Sequence, residues 1–185
     1  MSIRAWTALS ILIVLLASIS YLTFAVVGHG FSAREKPSKA EEFIARRMRR
    51  LAIPRDALQL TNPYSLAPES VNAAGEHWSE HCSMCHGSDG TGRTTLGGSL
   101  YPPAPDLKSA RVQELSDGEL FYIISNGIRF TGMPAWAGSD SPEEIWRLVT
   151  FIRALPTLTR QELGIIGPQN SPSRDVTGEA ENRSH

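Results

Sequence analysis

The sequence predicts an all-α protein, and three observations carry that reading. Ala5 to Val27 forms a run of 23 residues without a charge, which as a helix spans about 34 Å. Ser38, Ser116 and Ser141 each precede a stretch in which apolar residues recur at helical spacing. Between these stretches no strand-rich βαβ pattern is visible.

The first element is the apolar run. Its length suits a bilayer crossing better than the shorter apolar region of a secretory signal, about 7–15 residues. Gly28-His29-Gly30 offers only a poor small-x-small cleavage site. Residues 1–30 are therefore expected to be an uncleaved signal anchor and single transmembrane helix. The charges around it, taken alone, favour a cytoplasmic position for the residues after the run: Arg4 precedes it, whereas Arg34, Lys36 and Lys39 follow it.

Residues 31–70 are expected to form a basic juxtamembrane linker. From Phe31 to Leu60 eight Lys/Arg face four Asp/Glu, a balance of +4. Ser38-Lys39-Ala40-Glu41 fits the capping box, in which serine and glutamate each satisfy a backbone donor at a helix start. A helix from there to about Ala52 aligns Ile44, Met48 and Leu51 on one face, and Pro54 ends it. Two readings suit this helix: a solvated stalk, or a strip lying on anionic headgroups beside the anchor.

Further on, Ser116 caps a helix over Asp117 to Ser125, with Gly127 as its stop. Ser141-Pro142-Glu143-Glu144 opens the last helix, with proline at the first position and acids at the positive dipole end. Ile145, Leu148, Val149 and Ile152 supply its buried stripe, and Pro156 ends it. The segment from Ser70 to Leu158 is acidic, six Lys/Arg against ten Asp/Glu, or −4. Residues 159–185 read as a polar, disordered tail.

The chemistry sits in Cys82-Ser83-Met84-Cys85-His86, which holds the only two cysteines of the chain. A disulfide across so short a loop would staple almost nothing. Two thiols about one helical turn apart can instead bond both vinyl groups on one porphyrin edge, and the adjacent histidine can then reach the iron. A structural zinc site needs four ligands and no other cysteine exists, although His77 and His81 lie nearby. A thioredoxin-like CxxC lacks its βαβ setting. Cys82 and Cys85 are thus read as the attachment points of one haem c, with His86 as an iron ligand.

Low-spin electron-transfer haems often pair histidine with methionine, whose soft thioether favours ferrous iron. Of four methionines, Met1 is the start, Met48 lies in the basic helix and Met84 lies inside the CxxC loop. Met133 remains, in Thr131-Gly132-Met133-Pro134-Ala135, and is taken as the second iron ligand. His77 and His81 are tied by their nearness to Cys82 to the wrong side of the ring.

From about Val71 to Leu158, roughly half the chain, the sequence resembles a class I cytochrome c domain. The resemblance rests on Cys82-x-x-Cys85-His86-Gly87, on Gly132-Met133-Pro134 beginning 46 residues beyond His86, and on the closing stretch Trp146 to Leu155. It implies an all-α class I cytochrome c fold around one covalently bound haem, here preceded by the transmembrane helix and the basic helical linker. It also implies that the first domain helix crosses the last, with Trp78 and Phe151 at the crossing and Ala74 and Gly75 as the small surface between them. A proline carbonyl in Tyr101-Pro102-Pro103-Ala104-Pro105 is implied to accept the second imidazole proton of His86; Pro103 and Pro105 both suit. Gly87-Ser88-Asp89-Gly90-Thr91-Gly92 reads as the loop leaving the haem helix, not as a phosphate loop. Arg93 and Arg129 are candidates for a haem propionate or for plain solvated side chains.

Because haem attachment at CxxCH occurs outside the bacterial cytoplasmic membrane in this family, the resemblance places residues 71–158 on the periplasmic side of a single-pass inner-membrane protein. The function expected is electron transfer between respiratory-chain components, through redox partners with a basic docking surface, without nucleic acid or a small-molecule substrate. The chain is then a carrier and not itself an enzyme. One alternative makes it the cytochrome subunit of a larger membrane dehydrogenase or oxidase. Another, from a different class, is a ligand-binding haem sensor or peroxidase.

Overall fold

Serine begins the three helices that the sequence marked out, and in each a glutamate three residues on closes the box. In the computed structural model, which describes residues 3–29, 32–159 and 161–163, Ser38, Ser116 and Ser141 accept from the backbone of Glu41, Glu119 and Glu144. The three glutamates in turn accept from the serine backbone. These boxes open α2 (Lys39–Ala52), α7 (Asp117–Asn126) and α8 (Pro142–Ala154).

The remaining helices are α1 (Ile3–His29), α3 (Pro68–His77), α4 (Ser83–His86), α5 (Thr95–Ser99) and α6 (Ala110–Gln113), with a 3-10 turn at Ala57–Gln59. A π-helical turn, Trp78–Cys82, joins α3 to α4. No strand occurs among the described residues, only an isolated bridge between Ala137 and Asp140. The all-α expectation holds.

Two compact units divide the chain, Met1–Glu35 and Lys36–His185. The first contains α1, whose stretch Ile3–Ala25 is long and apolar enough to cross a membrane. In the second, α3 lies across α8. Ala74 and Gly75 are buried at the crossing, as expected. Trp78 and Phe151 meet there with ring centroids 5.1 Å apart, 2% and 0% exposed. Burying each ring contributes about 2–3 kcal/mol. Ile145, Leu148, Val149 and Ile152 form the buried stripe of α8, and Leu155 continues it.

Much of the expected linker is packed onto these helices. Ile53 and Ala57 are buried, and a Cβ added to Gly118 would lie 1.9 Å from the Ala57 carbonyl oxygen, so glycine lets the 3-10 turn press on α7. Asn62 donates to Thr150 Oγ1 at 2.9 Å and to the Trp146 carbonyl at 3.3 Å. At the other end Leu163 is buried in the core cluster and its N–H donates to Thr159, inside the stretch read as polar tail. Residues 164–185 of that tail lie outside the described residues.

Arg153, near the end of α8, fastens the turn between α6 and α7. Its Nε donates to Asp117 Oδ1 at 2.8 Å, one Nη to the Gln113 carbonyl at 2.7 Å and the other to the Leu115 carbonyl. Replacement by methionine keeps the stem but strands these acceptors. We expect a loss of about 2–3 kcal/mol in chemical denaturation; an unchanged midpoint would show that the network is not stabilising.

The caps also set an acid limit. The Glu144 carboxyl titrates below its ordinary 4.5 because it accepts from the Ser141 backbone and hydroxyl, and Glu162 behaves alike through Thr159. A lowered folded-state value means stability present above the unfolded value and lost as pH falls through the folded one. The thermal midpoint is therefore expected to decline on acidification from below about pH 4.5, and the decline should be shallower in Glu144→Gln. Coincident acid limbs for the two proteins would rule the cap out as a contributor.

Candidate functional site

The Cys82-x-x-Cys85-His86 segment turns through the end of the π turn and α4, and Gly87 at φ +78° ends the helix where a side chain would be strained. Trp78 holds this turn from the core side: its Nε1 donates to the Gly87 carbonyl at 3.1 Å, and its ring centroid lies 5.9 Å from that of His86. Both thiols are half-buried and unpaired. Burial first, then Asp140 and Cys85, push the Cys82 thiol up to about 12. No group of three or more His, Cys, Asp or Glu able to hold a metal ion occurs among the described residues.

His86 is the informative side chain. Its Nδ1 is buried without a partner meeting hydrogen-bond geometry. Burial lowers its pKa, and the Pro105 backbone carbonyl opposes that shift. Pro105 is thus the member of the proline loop that addresses the ring. The approach is made possible by two glycines. A Cβ on Gly92 would lie 2.3 Å from the Ala104 carbonyl oxygen, and one on Gly97 would lie 2.0 Å from that of Cys85. Thr94 caps α5 by accepting from Gly97 N–H at 2.8 Å, while its hydroxyl donates to Met84 or Cys85 carbonyls at 2.8 and 3.1 Å. In the loop 87–92, Asp89 Oδ1 accepts from the Thr91 backbone and hydroxyl at 3.1 and 2.8 Å.

Met133 lies in a closed excursion from the end of α7. Gly127, at φ +63°, lets the chain turn against its own return: a Cβ there would lie 2.6 Å from the Pro134 carbonyl carbon. Ile128 N–H donates to the Met133 carbonyl at 3.1 Å, and Met133 N–H to Thr131 Oγ1 at 3.1 Å. Trp136 and Ala137 N–H then reattach to Ile124 and Ser125 at 3.1 and 3.0 Å. The Met133 side chain packs, half-buried, against the core, and Leu100 covers Gly132. Phe130, 92% exposed at φ +63°, marks the tip of the excursion.

The other histidines near the thiols are engaged elsewhere. His77 Nε2 lies 2.9 Å from the nearly buried Asp140 carboxylate, and the His81 ring lies tilted against Trp136 with centroids 5.3 Å apart. Arg93 and Arg129 are both exposed. Sequence reasoning missed Gly92, Gly97, Thr94 and the His77–Asp140 pair. The adjacent pair Gly97-Gly98 was the available signal, since glycine often marks a close approach of two backbones.

These side chains fit a haem: two thiols one turn apart, a buried imidazole backed by a carbonyl, and a methionine on a separately braced loop. Residues 69–152 match the family model of cytochrome c oxidase, cbb3-type, subunit III. The chain carries a c-type cytochrome domain. Over 94 residues, 51% of its length, the cytochrome is 24% identical to the quinohemoprotein alcohol dehydrogenase ADH IIB of Pseudomonas putida. That match spans 12% of the dehydrogenase. Among solved structures, a chain of the Kuenenia stuttgartiensis reducing HAO-like protein complex is 21% identical with a TM-score of 0.45, over 53% of the cytochrome and 48% of that chain. A cytochrome c domain implies haem and a part in electron transfer.

Proposed function

We propose that this cytochrome is a mono-haem electron carrier held at the outer face of a bacterial cytoplasmic membrane. The observation that carries the reading is the buried and unpartnered His86 Nδ1 at the end of the CxxCH turn, on a ring that the Pro105 carbonyl addresses. In this reading Cys82 and Cys85 hold one haem through thioethers and His86 and Met133 bind its iron. The haem supplies a one-electron ferric/ferrous couple.

The chain's own residues then set its behaviour. Pro105, whose carbonyl addresses the ring, would fix the imidazole by accepting from Nδ1, and so favour the tautomer with Nε2 free to bind. Trp78, hydrogen-bonded to Gly87 and packed against Phe151, keeps the attachment turn from shifting. The excursion from Gly127 to Ala137, fastened at both ends to α7, would hold the Met133 thioether as an iron ligand and so leave no open position for a small ligand. Residues 70–158 are acidic, which suits partners with a basic docking surface and gives salt-sensitive encounter. Ile3–Ala25 supplies the anchor and keeps the domain at high local concentration near membrane partners.

A second reading, in which the cytochrome is a subunit of a larger membrane oxidoreductase, draws support from the oxidase-subunit description of the matching family. Extraction in mild detergent separates the two: a carrier runs alone, a subunit in a stable complex. The central test is the intact mass of the membrane-extracted protein, with a reduced-minus-oxidised spectrum of the same sample. One haem on the full chain with a low-spin His/Met spectrum is expected. One haem on a chain shortened by about thirty residues would replace the anchor with a cleaved signal. No covalent haem would overturn the reading.

A further inference from the structure

Helix α2 is turned the opposite way from an ordinary surface helix, which lays its apolar stripe on the core and its charges in water. None of its residues is buried. Its charged side faces the cytochrome domain: Glu42 lies 3.7 Å from Arg111, and Tyr101 donates to Glu41 Oε1 at 2.9 Å. Arg49 is desolvated on that side, which lowers its pKa, while neighbouring Glu119 raises it. On the other side Phe43, Ile44, Met48 and Leu51 are 56–75% exposed.

We infer that α2 is a membrane-surface helix, lying on anionic lipid with Phe43, Ile44, Met48 and Leu51 in the acyl boundary and thereby setting the orientation of the cytochrome domain. The inference rests on α1 being the membrane anchor. Three observations select lipid as the occupant. Nine residues separate His29 from Lys39, a tether of at most about 32 Å, so α2 stays close to the membrane face at which α1 ends. Exposed Lys39, Arg47 and Arg50 border or interrupt the apolar strip, while Glu41 and Glu42 are bonded to the domain. A strip of this charge suits phosphate headgroups and repels a second copy of itself. Because the domain is bonded to the opposite side of the same helix, seating α2 fixes the domain instead of leaving it to swing.

The test uses the full-length holoprotein in vesicles of phosphatidylcholine, with or without phosphatidylglycerol. Trypsin cleavage at Arg46 to Arg50 is followed over time. Cleavage is expected to be about tenfold slower in the anionic vesicles. Ile44→Asp combined with Met48→Asp should abolish that protection, with the reduced-minus-oxidised spectrum unchanged as a control for folding. Equal rates in both vesicles, or a double variant protected like the parent, would overturn the inference. Protection that persists in detergent and rises with protein concentration would assign the strip to a second copy and overturn it too. Carbonate extraction of the same vesicles separates the failures: release of the protein refutes the anchor, whereas retention with unprotected α2 refutes only this inference.

Discussion

With Met133 replaced by alanine, the reduced protein is expected, on the proposed ligation, to bind carbon monoxide, and its midpoint potential to fall by on the order of 0.1 V or more. The thioether is a soft ligand that favours ferrous iron, and its removal both opens a coordination position and withdraws that preference. Met133 also packs against the core, so alanine alone mixes two effects, lost ligation and a small cavity. Two further substitutions part them. Met133→Leu keeps the volume and loses the sulfur, and should match alanine in carbon monoxide binding and potential while recovering stability. Met133→His restores a ligand on the same braced loop and should exclude carbon monoxide again, at a lower potential. An alanine variant with the parent's spectrum and potential would remove Met133 from the iron.

A comparably large effect is expected at Gly97. A side chain there would begin 2.0 Å from the Cys85 carbonyl oxygen and 3.0 Å from that of Gly92. Both neighbours are backbone, and neither can swing aside. Room can come only from moving α5 off the attachment turn, which breaks the Thr94 hydroxyl's bond to that turn and the Ala104 N–H bond to Gly97, 2.9 Å long. Gly97→Ala should cost about 2–3 kcal/mol in denaturation and sharply reduce the yield of haem-loaded protein. Gly98→Ala is the control, because nothing lies within 4 Å of its Cβ position. In the same helix that change should be neutral or stabilising by up to about 1 kcal/mol. Similar losses at both positions would mean that helix geometry, not the approach to Cys85, is what matters.

The helices legible in the sequence are those whose start is written locally. α2, α7 and α8 each carry a serine cap, a glutamate three residues on and an apolar period long enough to count. α5 and α6, of five and four residues, are shorter than the pattern that would reveal them. The proposal of Cys82, Cys85 and His86 rests on spacing alone, and that of Met133 on elimination of the other methionines. The choice of Pro105 over Pro103 is not legible in the sequence: it depends on how closely the chain approaches at Gly92 and Gly97. Arg153 and the His77–Asp140 pair join positions 36 and 63 residues apart, and no local pattern announces such partners.

The π turn between α3 and α4 makes the length of this stretch matter more than its composition. Ser83 N–H reaches back five residues to the Trp78 carbonyl, so the helix accommodates one residue more than a regular turn would. Each residue of an α-helix advances the direction of its side chains by about 100°. Deleting one residue here, Ser79 for instance, would allow α3 to continue into α4 as a regular helix. Trp78 could still pack on Phe151, and Cys82, Cys85 and His86 would keep nearly their present direction, because the π turn already absorbs the extra residue. One residue more would rotate all three by that angle, with Pro105 left behind. Glu80 is exposed and Ser79 half-buried, so substitutions at both should be well tolerated. A further insertion should not, and descendants of this gene are expected to vary freely in spelling at 79–81 without lengthening the stretch from Trp78 to Cys82.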